Sequence, residues 1–309
     1  MRIAVMGSGG VGGYFGARLS AAGADVVFLA RGRHLAAIRE NGLKVESASG
    51  DLHLTDVRAT DDPAQAGPAD VVMFCVKLWD TESAAEQCRA LLKPGTAVIT
   101  FQNGVTSVDS LRRVLGDGHV AGGVAHIAAT IGEPGVIRHV GTMARLTYGE
   151  LNGRRSERLE AFHTLASRAG FTATLSDAIE RAIWEKFAFL APFSGVTTLT
   201  RQPAGVIRRV PQTRALFLDA VREVAAVARA RGVDLGADVA DRLERMLDGL
   251  VAPMKASMLH DLERGGPLEL PWLSGAVARL GAEAGVPTPV QHVIAAALAP
   301  YVDGPPAGP

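Results

Sequence analysis

The chain has 309 residues, 48% hydrophobic and 21% charged, and its 32 basic and 32 acidic residues cancel to a formal net charge of zero. That balance argues against an electrostatic footprint for nucleic acid or an anionic membrane surface, so neither is expected as a partner. The length exceeds that of a typical single domain, and the apolar content is enough for two cores.

Ile3–Met6 is too short for the apolar stretch of a signal peptide and runs straight into glycines, so it reads as a strand. Gly7-x-Gly9-x-x-Gly12 follows at once, and Tyr14–Ala22 has helical character. Strand, glycine turn and helix in this order suit a dinucleotide pyrophosphate. Gly7 permits the tight turn, Gly9 lets backbone N–H groups approach the phosphates, and Gly12 lets the helix pack close to the strand. With 35 glycines in the chain the spacing alone is a weak signal, and its placement gives it weight. Gly7, Ser8, Gly9, Gly10, Val11 and Gly12 are therefore the first candidate cofactor-binding residues.

Asp25–Leu29 reads as the second strand and His34–Asn41 as a short helix. An NAD site usually places an acid at the end of this strand, but here the chain reads Ala30-Arg31-Gly32-Arg33, and no acid is expected nearby to repel a phosphate. The planar fork of Arg31 suits a ribose 2′-phosphate, which points to NADP(H), with Arg33 and His34 as possible helpers. The alternative is a solvated surface arginine.

Val71–Val76 and Ala97–Phe101 read as further buried strands, separated by a helix near Thr81–Leu92 that stops at Pro94-Gly95. Strands apolar on both faces, alternating with helices, imply a parallel sheet covered on each side. From Val120 to Gly149 the glycines at 122, 123, 135 and 141 suggest short antiparallel hairpins closing the first domain. Beyond about Asp177 helical periodicity takes over, with helices expected over Thr213–Arg231, Ala237–Leu250, Trp272–Ala284 and Val290–Leu298. The expected fold is α/β: an N-terminal Rossmann-like dinucleotide-binding domain (1–176), an all-α C-terminal domain (177–302) and a disordered tail (303–309). Alanine-rich helical faces in the second domain would serve a homodimer contact or its own core equally well.

Cys75 and Cys88 lack metal-ligand spacing, and the eight histidines are scattered without paired spacing, so no metal is expected. Two unpatterned cysteines suit a reducing cytoplasm, and no window holds the roughly eighteen uncharged apolar residues needed to span a membrane.

Several segments taken together resemble the ketopantoate reductase family. Arg31, Cys75-Val76-Lys77 and Gln102-Asn103-Gly104 match in the first half. Trp184-Glu185-Lys186-Phe187 resembles the family's lysine helix, and Ala256-Ser257-Met258-Leu259-His260-Asp261 its serine segment. Leu268–Gly275 resembles its glutamate segment and Gly285-Val286-Pro287-Thr288-Pro289 its closing motif. The resemblance covers nearly the whole chain. It implies two domains, NADPH, and reduction of a 2-oxo acid to a 2-hydroxy acid at a cleft between them. The default substrate is 2-dehydropantoate (ketopantoate), and the setting is pantothenate biosynthesis.

Residue chemistry stands beside that resemblance. Lys186 lies in an almost unbroken apolar helix, Ile183–Ala191, where poor solvation lowers a lysine pKa toward working pH. Such a lysine can protonate the alkoxide formed when hydride reaches a ketone carbon; the alternative is a stem laid along the helix with its ammonium in water. Glu269, alone in an apolar stretch, calls for a partner in Lys186 or a substrate hydroxyl, or else serves the dipole of the following helix. Lys186 and Glu269 are the candidate catalytic residues, and Glu269 is also a candidate cofactor contact. Asn103 follows a buried strand at the ligand-binding edge of the sheet and suits a nicotinamide carboxamide or a substrate hydroxyl, although Asn-Gly is also a common turn. Lys77 at the same edge is a candidate cofactor contact, and Ser257 a candidate for a substrate carboxylate, or a helix cap.

The chain departs from the family pattern at Leu190 and Ser194, four and eight residues after Lys186, where the family has asparagines, and at Pro271 and Ser274. With Asn103, Lys186 and Ser257, Leu190 and Ser194 are the candidate substrate-facing positions. An apolar wall at Leu190 favours a less polar 2-oxo acid or ketone. A non-catalytic NADP(H)-binding sensor is the alternative of a different class.

Overall fold

A computed structural model describes residues 1–306. The chain opens with β1 (Arg2–Met6), α1 (Gly10–Ala21), β2 (Asp25–Leu29) and α2 (Gly32–Asn41). Both strands lie within one residue of the expected bounds, and each helix begins earlier than periodicity alone suggests. Three short strands, β3 (Leu43–Ser47), β4 (Leu52–Leu54) and β5 (Arg58–Thr60), come next, followed by α3 (Pro63–Ala66). Sequence gives no sign of them: they are too short for a periodic signal and, unlike β1 and β2, carry no unbroken apolar run.

β6 (Val71–Phe74) leads through a 3₁₀ turn at Leu78–Asp80 into α4 (Thr81–Cys88). β7 (Ala97–Thr100), α5 (Ser107–Leu115), β8 (Val120–Glu133) and β9 (Val136–Gly149) follow, and α6 (Glu157–Ala166) with β10 (Thr172–Leu175) complete the series. All four residues of β6 and of β7 are buried, as expected of strands covered on both faces.

The strand order is β4-β3-β9-β8-β7-β6-β1-β2-β5, with β10 also paired to β9. β5, β2, β1, β6, β7 and β8 run parallel, whereas β8–β9 and β3–β4 are antiparallel. The expectation of short hairpins over 120–149 is corrected. The segment forms one long hairpin of two fourteen-residue strands, turning at Pro134-Gly135. Gly122 and Gly123 lie inside β8 rather than breaking it. A side chain at Gly123 would meet the carbonyl of Thr100 at 2.6 Å, so glycine there permits close strand approach.

The second half is helical: α7 (Ile179–Thr200), α8 (Ala204–Arg209), α9 (Pro211–Ala230), α10 (Val239–Gly249), α11 (Ser257–Glu263), α12 (Ser274–Ala284) and α13 (Pro289–Leu298). Pro211 stands at the first position of α9, where its missing N–H costs nothing. α9 packs against α8, α10, α12 and α13, and Phe217, Val221, Val224, Leu243, Leu247 and Ile294 are fully or almost fully buried in their shared core. The Glu223 carboxylate accepts from the N–H groups of Val290 (2.8 Å) and Gln291 (2.9 Å), satisfying two of the orphan donors at the start of α13.

The chain divides into two compact units, Met1–Asn103 with Ser107–Glu180, and Gly104–Thr106 with the residues from Arg181 onward. The boundary falls in the first turn of α7. The start of the expected disordered tail is packed: Gly304 is buried and its N–H donates to the carbonyl of Tyr301. Residues 307–309 lie outside the described residues. Among the described residues no helix is long and apolar enough to cross a membrane.

Candidate functional site

In the first unit, register brings the C-terminal ends of four strands to one edge of the sheet: Met6 pairs with Leu29 and Phe74, and Phe74 with Thr100. β1 is flanked on opposite sides by β2 and β6, the switch in strand order outside which ligands bind in open α/β sheets. Four connections leave this edge, after Met6, Leu29, Phe74 and Thr100.

The turn after β1 is built by backbone. Gly7 has φ +95°, and a side chain on it would press on the backbone of Cys75 and Val76 at under 3 Å. Gly10 and Gly12 are needed for close approach: a Cβ would fall 2.1 Å from Ala129 O at Gly10 and 2.2 Å from Gly7 O at Gly12. Gly9 differs, since a Cβ there would meet nothing within 4 Å. Ser8 turns inward, its N–H and its Oγ both donating to Leu29 O at 3.0 Å, so its hydroxyl does not cap α1. With no side-chain cap and no acid in its first turn, α1 leaves its N-terminal amides at Gly10, Val11 and Gly12 and its partial positive charge to an incoming anion. Its open approach at Gly9 and uncapped helix end fit a phosphate-bearing group.

Arg31 stands just before α2, its side chain three-quarters exposed, with Nη2 2.6 Å from Asp80 Oδ2. The expectation of no nearby acid is therefore corrected: an acid reaches Arg31 from 49 residues away, which local sequence cannot show. Lys77 is exposed, with its ammonium 5.3 Å from the centre of the Trp79 ring. Asn103 is partly exposed at the end of the β7 connection, and Gly104 after it takes φ +88°, a turn conformation.

Two residues that sequence reasoning undervalued hold these connections together. The Gln102 amide donates to Val76 O (3.0 Å) and Thr81 Oγ1 (2.8 Å), joining the connection after β7 to that after β6. His34, expected as a possible helper at the cofactor, instead bridges the glycine turn to the hairpin. Its Nδ1 accepts from Gly135 N–H (3.0 Å), so the Nε2 proton is left to donate to Ser8 O (3.0 Å). Burial lowers its pKa, opposed by the bond to Ser8.

In the second unit the candidate residues lie on α7, on α11 and before α12. Trp184 and Phe187 flank Lys186 in sequence and pack edge to face at 5.7 Å, both nearly fully buried. Lys186 keeps some accessible surface, yet the protein around its ammonium lowers its pKa to about 8. Desolvation is the larger cause, and attraction to the Glu269 carboxylate partly offsets it. Glu269 is 6% exposed, and its side chain does not cap the 3₁₀ turn it precedes, Leu270–Trp272. A buried carboxylate and a desolvated ammonium in mutual attraction form a pair able to hold and release a proton.

Leu190, one turn beyond Lys186, is partly exposed and packs against the helical core. Ser194 and Ser274 are fully buried, and neither Oγ has a hydrogen-bond partner among the described residues. Ser257 is exposed at the first position of α11 and makes no cap bond. Pro192 inside α7 leaves the Ala188 carbonyl without its usual helical donor. The cysteines are poor nucleophile candidates, since burial raises both thiols, that of Cys88 to about 12. Among the described residues no group of three or more His, Cys, Asp or Glu could hold a metal ion.

Comparison with known proteins covers nearly all of this architecture. Residues 3–153 match the family model "Ketopantoate reductase PanE/ApbA", and residues 178–302 match "Ketopantoate reductase PanE/ApbA C terminal". The chain is 33% identical to the 2-dehydropantoate 2-reductase of Mesorhizobium japonicum over 96% of each chain. It superposes on the crystal structure of a 2-dehydropantoate 2-reductase from Geobacter metallireducens with TM-score 0.90 and 34% identity, covering 97% of this chain and 99% of that one. A D-mandelate dehydrogenase solved with NADH and anilino(oxo)acetate shares the fold at TM-score 0.89 and 21% identity, over 97% of this chain and 98% of that one. On these matches, the chain belongs to the ketopantoate reductase family, a group of oxidoreductases.

Proposed function

We propose that this protein is an NADPH-dependent reductase that converts a 2-oxo acid to the 2-hydroxy acid, with ketopantoate as its substrate. The observation that carries the reading is Lys186: a desolvated ammonium with a pKa of about 8, opposite a buried Glu269. A nicotinamide dinucleotide, when bound, supplies the hydride that reduces the carbonyl carbon. The Gly7–Gly12 turn and the uncapped end of α1 hold its pyrophosphate, and Arg31 takes the 2′-phosphate. Lys77 and Asn103 add contacts to the dinucleotide.

Lys186 hydrogen-bonds the substrate's carbonyl oxygen and gives that oxygen a proton as negative charge develops on it. At neutral pH an acid of pKa about 8 is mostly protonated, yet releases its proton far more readily than an ordinary lysine. Glu269 keeps that ammonium charged, and Asn103 and Ser257 orient the substrate's polar groups. NADPH oxidation followed by absorbance, with ketopantoate and with Lys186→Ala beside the wild type, tests this directly. Turnover by the wild type and a loss of about 10²–10⁴-fold in the variant are expected, and a fully active variant would remove Lys186 from its role.

Leu190 favours a second reading, in which the substrate is a less polar 2-oxo acid or ketone. A panel of bulkier, more apolar 2-oxo acids separates the two by which member reacts. Binding of NADPH without turnover of any member would favour a cofactor sensor. A cytoplasmic setting and self-association through the helical domain belong to the same reading, and sedimentation of the purified protein tests the latter.

A further inference from the structure

We propose that Asp80 sets the dinucleotide preference of this protein, holding down its selectivity for NADPH over NADH. The inference rests on the reading of the first unit as a nicotinamide dinucleotide site. In such folds the end of the second strand carries either an acid, which accepts from the ribose 2′-hydroxyl, or an arginine, which receives a 2′-phosphate. Here Arg31 supplies the arginine from the chain after β2, and Asp80 brings an acid to the same guanidinium from the connection after β6.

The two partners are not equally free to move. Asp80 is fixed by its own backbone: its N–H donates to Lys77 O (3.0 Å), and its carbonyl accepts from Ser83 Oγ (3.1 Å). Thr81 beside it donates to Leu78 O (2.7 Å) and accepts from Gln102, which ties the turn to β7. The Asp80 side chain is one-quarter exposed, against three-quarters for Arg31. Arg31 is thus a long, solvated side chain that comes to a stationed carboxylate.

For NADPH the consequence is competition. The 2′-phosphate must displace Asp80 from the guanidinium, or share it, beside a carboxylate of like sign. For NADH, the Asp80 carboxylate can accept from the 2′-hydroxyl. An arginine followed by no acid in sequence predicts firm NADPH selectivity, whereas the pair predicts a site that accepts both dinucleotides.

Calorimetric titration of the intact protein with NADPH and with NADH, for wild type, Asp80→Asn and Arg31→Ala, tests the proposal without relying on turnover. Asp80→Asn is expected to tighten NADPH and weaken NADH, moving the ratio of their dissociation constants by about tenfold toward NADPH. Arg31→Ala is expected to weaken NADPH by at least about tenfold while leaving NADH within about a factor of three. Arg31 is largely exposed and Asp80→Asn keeps the side chain's shape, and an unchanged thermal midpoint shows that the fold is retained. If Asp80→Asn weakens NADPH, Asp80 merely holds Arg31 in place and the proposal is overturned. An unchanged ratio overturns it equally. Wild-type protein that binds neither dinucleotide removes the cofactor reading itself, a result distinct from binding both with an unshifted ratio.

Discussion

The glycine turn of the first unit and the lysine helix of the second assemble their chemistry in opposite ways. Around Gly7–Gly12 the working parts are backbone amides and empty space, and side chains are largely excluded by contacts of under 3 Å. Around Lys186 the working parts are two ionisable side chains embedded in apolar packing, with backbone serving only as scaffold. The first arrangement fails when atoms are added, and the second fails when they are removed.

Removing atoms from the second region should give the largest effect. Lys186→Met keeps the stem and deletes the charge, so turnover should fall by about 10²–10⁴-fold while calorimetric affinity for NADPH stays within about a factor of three. A variant that lost affinity to the same extent would show that Lys186 belongs to cofactor binding instead.

Adding atoms to the first region should separate two glycines of one motif. Gly7→Ala forces a side chain to φ +95° and onto the Cys75–Val76 backbone, so a cost of about 1–3 kcal/mol and a lowered thermal midpoint are expected. Gly9→Ala meets nothing within 4 Å, so its midpoint should hold while dinucleotide affinity drops by roughly tenfold. Equal melting losses for both would mean that the openness at Gly9 has no bearing on a ligand.

The pH profile of turnover sharpens the contrast, because only the second region hands a proton to the substrate. A general acid must be protonated, so the rate is highest below the pKa of Lys186 and falls as pH rises through about 8. Glu269→Gln removes the attraction that raises this pKa, so the alkaline limb should move to lower pH. A limb that stays in place would uncouple the two residues.

The smallest effect belongs to His34 in the first unit. Burial depresses its folded pKa below the ordinary value, so its contribution to stability is complete above pH 6.5 and declines as pH falls toward the folded pKa. Protonation would put a second N–H against that of Gly135. A modest loss of wild-type thermal stability below pH 6.5 should therefore be blunted in His34→Gln, which a pair of melting series would reveal.

What the sequence made legible follows from this same difference. The turn after β1 is read from neighbours in the chain, because strand, glycine spacing and helix are contiguous. The helical unit was legible through periodicity, and Lys186 through its contrast with apolar surroundings. Asp80 and Gln102 were not, since their partners lie 49, 26 and 21 residues away and nothing local marks them. The 120–149 hairpin is not legible as one piece, because glycine signals a break on average. At Gly123 it marks the approach of a neighbouring strand instead.

The sheet runs to ten strands. A wide sheet of this kind is an open template, because each outermost strand offers unpaired amides to any passing chain. Here the outermost strands of the main path, β4 and β5, are three residues long, and Arg58 opens β5 with its guanidinium on Asp25. An incoming strand finds only one or two hydrogen bonds to make before the edge ends. The short strands that periodicity could not detect are thus the ones that guard this fold against stacking edge to edge with its own copies.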